Sequence, residues 1–277
     1  MRNETKNAFG GEVIKMIPKI VHYCWFGKGE KSDIIKKCME TWKRNCPDYE
    51  FMEWNETNFD VNMCEFTKGA YENKKWAFVS DVARLTALKK YGGFYIDTDV
   101  EILAEGALDK YLDYKRVLAF ETERRINTGL FFGCQKNDEI IDRFFKCYEG
   151  LTFEGGFKQL NTTLNMPVLE SEYPTLIWNN QSQLIDGTYF LSMHEYNRIM
   201  KHYATNSWLD DKMEFKLGKE NAFKRFMRNP KIYKFLGKFG QGVVRKYEFF
   251  SYDLLDMGIG YFIKRRFIKN KRKKEKK

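Results

Sequence analysis

Nowhere in the 277 residues is there an uninterrupted apolar run of about eighteen residues or more, so no helix is expected to span a bilayer. The first eighteen positions, Met1 to Pro18, likewise lack the apolar stretch that an export signal needs, and none is expected. The six cysteines (Cys24, Cys38, Cys46, Cys64, Cys134, Cys147) include no C-x-x-C pair and sit mostly in apolar contexts. They read as reduced core thiols of a cytoplasmic protein rather than as zinc ligands or a disulfide framework. No internal repeat or low-complexity segment appears outside the Lys/Arg-rich end.

What is present is material for a core. With 43% hydrophobic and 17% aromatic residues, disorder of the whole chain is excluded, and the length suits one large α/β domain with an appendage. The net charge of +10 is unevenly placed: residues 261–277 hold ten Lys/Arg and one Glu, while the rest of the chain carries 38 basic and 37 acidic groups. The body is nearly neutral and the basicity is a tail.

Lys19 to Phe26 is an apolar, β-rich run closed by Gly27 and Gly29, which predicts a buried first strand. Ser32 is the expected N-cap of a helix through about Asn45, where Cys46-Pro47 stops it. Tyr49 to Trp54 reads as a second strand. From Trp76 to Tyr91, Phe78, Val79, Val82, Ala83, Thr86 and Leu88 follow an amphipathic helical pattern that Gly92-Gly93 ends. A strand, Phe94-Tyr95-Ile96, follows at once. Strands are also expected at Val117–Phe120, Gly129–Gly133 and Gly187–Leu191, and a helix at Asp138–Tyr148. Such alternation favours a mainly parallel, doubly wound sheet whose ligand site lies beyond the strand C-termini.

At one such end stands Asp97-Thr98-Asp99. Carboxylates two residues apart in extended backbone point the same way, so both can approach one hard divalent cation that also binds diphosphate oxygens. One helix upstream, Asp81 and Arg84 are three apart and share a face. They suit either a structural ion pair or contacts to phosphate and a hydroxyl.

Three blocks carry a resemblance: Ile17-Pro18-Lys19-Ile20-Val21-His22-Tyr23-Cys24-Trp25-Phe26-Gly27, then Ser80-Asp81-Val82-Ala83-Arg84, then Tyr91-Gly92-Gly93-Phe94-Tyr95-Ile96-Asp97-Thr98-Asp99-Val100. In order and spacing, over about residues 17–105, the chain resembles glycosyltransferase family 32. That D-x-D group includes yeast-type initiating mannosyltransferases, bacterial capsular polysaccharide transferases and, distantly, the large glucosylating toxins. The resemblance implies a GT-A fold, Rossmann-like with flanking helices, a Mn²⁺ or Mg²⁺ ion, and retaining transfer from a nucleotide diphosphate sugar to a glycan.

Carried over residue by residue, the resemblance gives Trp25 to the nucleotide base, Asp81 and Arg84 to donor sugar and ribose or phosphate, and Tyr95 to the ribose region. Asp97 is shared between ribose and metal, and Asp99 is the first choice for direct ligation. His202-Tyr203-Ala204-Thr205-Asn206-Ser207-Trp208 looks like the family's C-terminal element. Of the three histidines, His202 is then a candidate third ligand or diphosphate contact, with His194 competing; Trp208 can donate its indole N–H to a phosphate oxygen, and Ser207 is a substrate-binding candidate. Asn127 occupies the position of an Asn near donor sugar and acceptor. No nucleophile or base is assigned; Glu121 and Glu123 lie nearby. The expected division is a catalytic domain over 1–218, with nucleotide-binding part about 17–105 and acceptor part about 106–218, and an appendage over 219–277.

In that appendage Lys/Arg interleave with Phe, Ile and Leu at helical spacing, which suits docking at an anionic membrane surface. A peripheral site on the inner face of the cell membrane and a lipid-linked glycan acceptor are expected, with no nucleic acid partner. UDP-sugar is favoured as donor over GDP-sugar. A second reading stays open: Tyr95 to Val100 also fits a haloacid-dehalogenase-like phosphatase, with Asp97 as nucleophile, Asp99 as general acid and Asp210-Asp211 as a late acidic pair.

Overall fold

In the computed structural model, residues 16–203 are described. The chain divides into two units, Met1–Gly155 with Gln159–Trp208 and Gly156–Lys158 with Leu209–Lys277, and the fold below is that of the first. Ser207, Trp208, Asp210, Asp211 and the basic segment 219–277 lie outside the described residues.

The order of elements is β1 (Ile20–Cys24), α1 (Asp33–Asn45), β2 (Glu50–Trp54), α2 (Glu65–Glu72), α3 (Trp76–Tyr91), β3 (Gly93–Tyr95) and β4 (Val100–Ile102). There follow β5 (Arg116–Thr122), β6 (Arg125–Ile126), β7 (Phe132–Cys134), α4 (Glu139–Lys146), α5 (Asn161–Leu164), α6 (Met166–Glu172), β8 (Gln183–Ile185), β9 (Thr188–Leu191), α7 (Met193–Ile199) and β10 (Met200–His202). The main sheet runs β2-β1-β3-β7-β5-β9-β8, with β6 paired to β5, and β10 pairs with β4 in a separate two-stranded sheet.

The sheet is mostly parallel, as expected, with two strands reversed. β1 is parallel to β2 and β3, and β5 to β9, whereas β7 and β8 run against their neighbours. Chain length explains the reversal of β7: the stretch between Thr122 and Phe132 is too short for the crossover that a parallel return needs. Strand β7 is also shorter than expected, beginning at Phe132 rather than Gly129.

Both faces of the sheet are covered. Along β5, Val117 and Ala119 join one apolar cluster with Trp42, Phe94, Val100 and Tyr196, while Leu118 and Phe120 join the other with Phe78, Val82, Phe132 and Phe144. Helix α3 occupies its expected span but is not amphipathic: Phe78 through Leu85 are all buried, Asp81 and Arg84 included. Among the described residues no helix is long and apolar enough to cross a membrane.

Two glycines set the approach to the site. Gly92 and Gly93 have φ of 69° and 98°, and a β-carbon on them would lie 2.6 Å from the Lys136 nitrogen and 2.6 Å from the Ile20 oxygen respectively. Helix α3 can therefore stop and β3 pair with β1 within one residue.

Candidate active site

Parallel pairing of His22 with Tyr95 brings the C-terminal ends of β1 and β3 to one edge, so Trp25 and Asp97 leave the sheet side by side. Asp97 is fixed by its own N–H donating to Gly129 O (3.0 Å) and by Tyr95, whose hydroxyl donates to Oδ1 at 3.1 Å. Tyr95 is 1% exposed with the Arg84 guanidinium 4.5 Å over its ring. The structure therefore sets Tyr95 as a support beneath Asp97, where the resemblance gave it a ribose contact.

Arg84 is the hub below the carboxylates. Nη2 lies 3.0 Å from Asp81 Oδ1 and 3.6 Å from Asp97 Oδ1, Nε donates to Ser80 O (3.2 Å), and Nη1 donates to Thr128 Oγ1 (3.4 Å). The Asp81–Arg84 pair is thus not the exposed surface bridge that the spacing alone allows, its side chains being 5% and 3% exposed. Asn161 Nδ2 donates to Asp81 Oδ1 at 2.9 Å, and Thr128 donates to Asn161 Oδ1. Burial pushes the Asp81 carboxyl up to about 6, with Arg84 opposing and Asp97 adding to the rise. Asp97 is raised for the same reasons, by burial against Arg84 and with Asp99 as the like charge beside it.

His202 arrives on β10, whose antiparallel pairing sets it opposite Val100, next to Asp99. Its Nε2 lies 3.1 Å from Asp99 Oδ1. Burial alone would lower this imidazole, but the bond to Asp99 and the charges of Asp99, Asp97 and Glu121 raise it. Asp97, Asp99 and His202 each offer a ligand atom within 4.8 Å of the others. His194 is exposed on α7 and is not part of this group. The remaining histidine, His22, is buried between Gly92 O (2.8 Å) and the Trp54 indole N–H (3.2 Å).

Trp25 is half-buried and belongs to neither apolar cluster. Its indole N–H donates to Gly29 O at 2.8 Å, and Lys31 Nζ sits 5.1 Å from the ring centre. Asn127 is used at both ends of its amide: Nδ2 donates to Glu121 Oε1 (3.1 Å) and Oδ1 accepts from Gly129 N (2.8 Å). A β-carbon on Gly129 would fall 2.6 Å from Asp97 Oδ2 and 2.8 Å from Arg84 Nη1, so this close contact admits only glycine. Thr128, Gly129 and Asn161 had no sequence signal beyond turn chemistry; their role depends on a fold that joins α3 to α5.

The donor set fits a divalent cation. Asp81 and Asp97 flank the Arg84 guanidinium, and Asp99 lies beyond Asp97, so the three carboxylates exceed the one guanidinium by two negative charges when all are ionised.

Residues 32–118 match the family described as the glycosyltransferase sugar-binding region containing a DXD motif. The matched segment contains Asp81, Arg84, Tyr95, Asp97 and Asp99, whereas Trp25, Asn127 and His202 lie outside it. Glucan organizing enzyme 1 of Cryptococcus neoformans var. grubii is 30% identical over 142 residues, which cover 48% of this chain. The chain spans 37% of that relative's length. Among solved structures, PaToxG glycosyltransferase is 21% identical, with 58% of this chain and 70% of that one covered at a TM-score of 0.45. A glycosyltransferase involved in glycosylation of the major capsid of PBCV-1 is 13% identical, with coverages of 69% and 96% and a TM-score of 0.38. The D-x-D of this α/β chain thus lies inside the segment that matches a glycosyltransferase sugar-binding region.

Proposed function

We propose that this chain is a metal-dependent glycosyltransferase that moves a hexose, with retention at the anomeric carbon, from a nucleotide diphosphate sugar to a glycan or lipid-linked oligosaccharide hydroxyl. The observation that carries the metal is the convergence of Asp97, Asp99 and His202 within 4.8 Å beside Arg84. Mn²⁺ bound there would neutralise charge on the departing diphosphate. Arg84, itself paired with Asp81, holds Asp97 in place from below, and Tyr95 donates to its Oδ1. Trp25 offers a ring for base stacking at the same edge, on the face that Lys31 does not cover. A UDP-sugar is favoured over a GDP-sugar.

The test is hydrolysis of UDP- and GDP-sugars with Mn²⁺, against EDTA and against Asp99→Ala. Turnover that survives EDTA, or an undiminished Asp99→Ala enzyme, overturns the metal-dependent mechanism. Polysaccharide synthesis at the inner face of the cell membrane, with residues 219–277 docking on anionic lipid, belongs to the same reading and is supported by the tail's charge. Equal flotation of the full chain with anionic and neutral liposomes eliminates that docking.

A further inference from the structure

Strands β3 and β5 both run against β7, which lies between them, so the two point the same way and end at one edge of the sheet. Ligands gather beyond such strand ends. Asp97 leaves that edge just after β3, and Glu121 leaves it as the next-to-last residue of β5. From Arg116 to Phe120 the strand is buried; Glu121 is the first of its residues to reach solvent, its side chain 35% exposed.

A chain of hydrogen bonds joins the two acids. The Asp97 N–H donates to Gly129 O (3.0 Å), Gly129 N donates to Asn127 Oδ1 (2.8 Å), and Asn127 Nδ2 donates to Glu121 Oε1 (3.1 Å). A β-carbon on Gly129 would meet Asp97 Oδ2 at 2.6 Å and Asn127 Oδ1 at 3.1 Å, so the amide that holds Glu121 flanks the same point as the carboxylate offered to the metal. The other oxygen of Glu121, Oε2, is 4.0 Å from Arg125 Nη1, too far for a hydrogen bond.

Charge decides what such a carboxylate can hold. Against a diphosphate it is a like charge and repels, so the uncharged hexose is the part of a nucleotide sugar that it favours. With its carbonyl turned to Gly129, Asn127 gives Glu121 only N–H groups, and the carboxylate offers only acceptors. A sugar hydroxyl both donates and accepts, so this pair can satisfy one hydroxyl in both of its functions.

We infer that Glu121 binds the hexose of the nucleotide sugar: its carboxylate accepts from a sugar hydroxyl, and the second Nδ2 hydrogen of Asn127 is donated to that hydroxyl's oxygen. The inference rests on the sugar-transfer reading above and adds a residue from beyond the matched segment 32–118.

The experiment follows hydrolysis of UDP-glucose, UDP-galactose and GDP-mannose by the full chain with Mn²⁺ and no acceptor, and inhibition of the same reaction by bare UDP or GDP, which carries no sugar. Slow hydrolysis makes KM approximate the dissociation constant. Glu121→Ala is expected to raise KM about ten- to a hundredfold while the inhibition constant of the bare nucleotide stays within about twofold of wild type. Glu123→Ala, exposed in the adjoining turn, is expected to match the wild type in both. A KM for Glu121→Ala raised no more than that for Glu123→Ala overturns the role of Glu121. An inhibition constant that rises together with KM overturns it too, since a contact to the sugar alone leaves the bare nucleotide untouched. Both results leave the transferase reading standing. A wild type that neither hydrolyses these sugar nucleotides nor binds UDP or GDP overturns that reading, and Glu121 with it.

Discussion

Two buried arginines sit at opposite ends of the sheet and are used differently. Arg116, at the start of β5, donates through Nε and Nη2 to both oxygens of Asp138 at 3.1 and 2.5 Å, and its Nη1 is taken by Tyr173 and Thr188. Asp138 also accepts from Ile140 N as the N-cap of α4. The Arg116 and Asp138 side chains are 4% and 1% exposed, and Nη2 also meets the outer carboxylate of Glu139 at 3.1 Å. Arg84 has the same class of partner, but spread over two aspartates at 3.0 and 3.6 Å, and the farther one, Asp97, is 31% exposed. Two-pronged bonding to one buried aspartate makes a lock; Arg84, which meets each of its aspartates with one nitrogen, leaves Asp97 beside Asp99 and His202 as a candidate binding site.

The largest expected effect on stability breaks the lock. Asp138→Ala removes the buried carboxylate of Arg116, leaving it the exposed Glu139, and is expected to cost about 3 kcal/mol in denaturant unfolding, with turnover per folded molecule unchanged. Next, Asp99→Ala is expected to lower Mn²⁺-supported sugar-nucleotide hydrolysis about a thousandfold, roughly 4 kcal/mol of barrier, with little change in melting temperature. A large drop in stability would place Asp99 with Arg116 as architecture.

His22 belongs with the closed network, and acid sharpens the distinction. Burial lowers it from 6.5 to about 4, so between those values the unfolded chain holds a proton that the folded chain does not. Stability therefore falls as pH drops through that window, by about 3 kcal/mol from this group. His22→Gln is expected to flatten the pH dependence of the urea midpoint. Smallest is the exposed Lys89–Asp142 pair, whose side chains are 33% and 56% exposed. Asp142→Ala is expected to cost under about 1 kcal/mol, which separates burial from charge as the cause of the first effect.

The sequence disclosed what depends on neighbours. The span of α3 followed from Trp76–Tyr91 periodicity and the paired glycines, and the direction of Asp97 and Asp99 from extended backbone at a strand end. Ser32 was legible as the N-cap by position, though its side chain makes no capping bond. The reversal of β7 was not legible, because periodicity reports which face is buried and says nothing of strand direction. Nor were Thr128 and Asn161: a turn threonine and a short-helix asparagine acquire meaning only when the fold sets them against Arg84 and Asp81. Choosing His202 over His194 likewise required the β10–β4 pairing, since eight residues of chain do not say which imidazole meets an aspartate a hundred positions earlier.

That pairing has a thermodynamic consequence. Asp97 follows a strand of the main sheet, while Asp99 borders β4 and His202 ends β10 in the small one. A cation held by all three ties two ladders that otherwise share no backbone bonds, and its binding free energy becomes resistance to local opening, about 2.7 kcal/mol at a hundred times its dissociation constant. Amide hydrogens of the three-residue strand β10 should then exchange slowly with Mn²⁺ and quickly in EDTA, while those of β5 keep one rate in both.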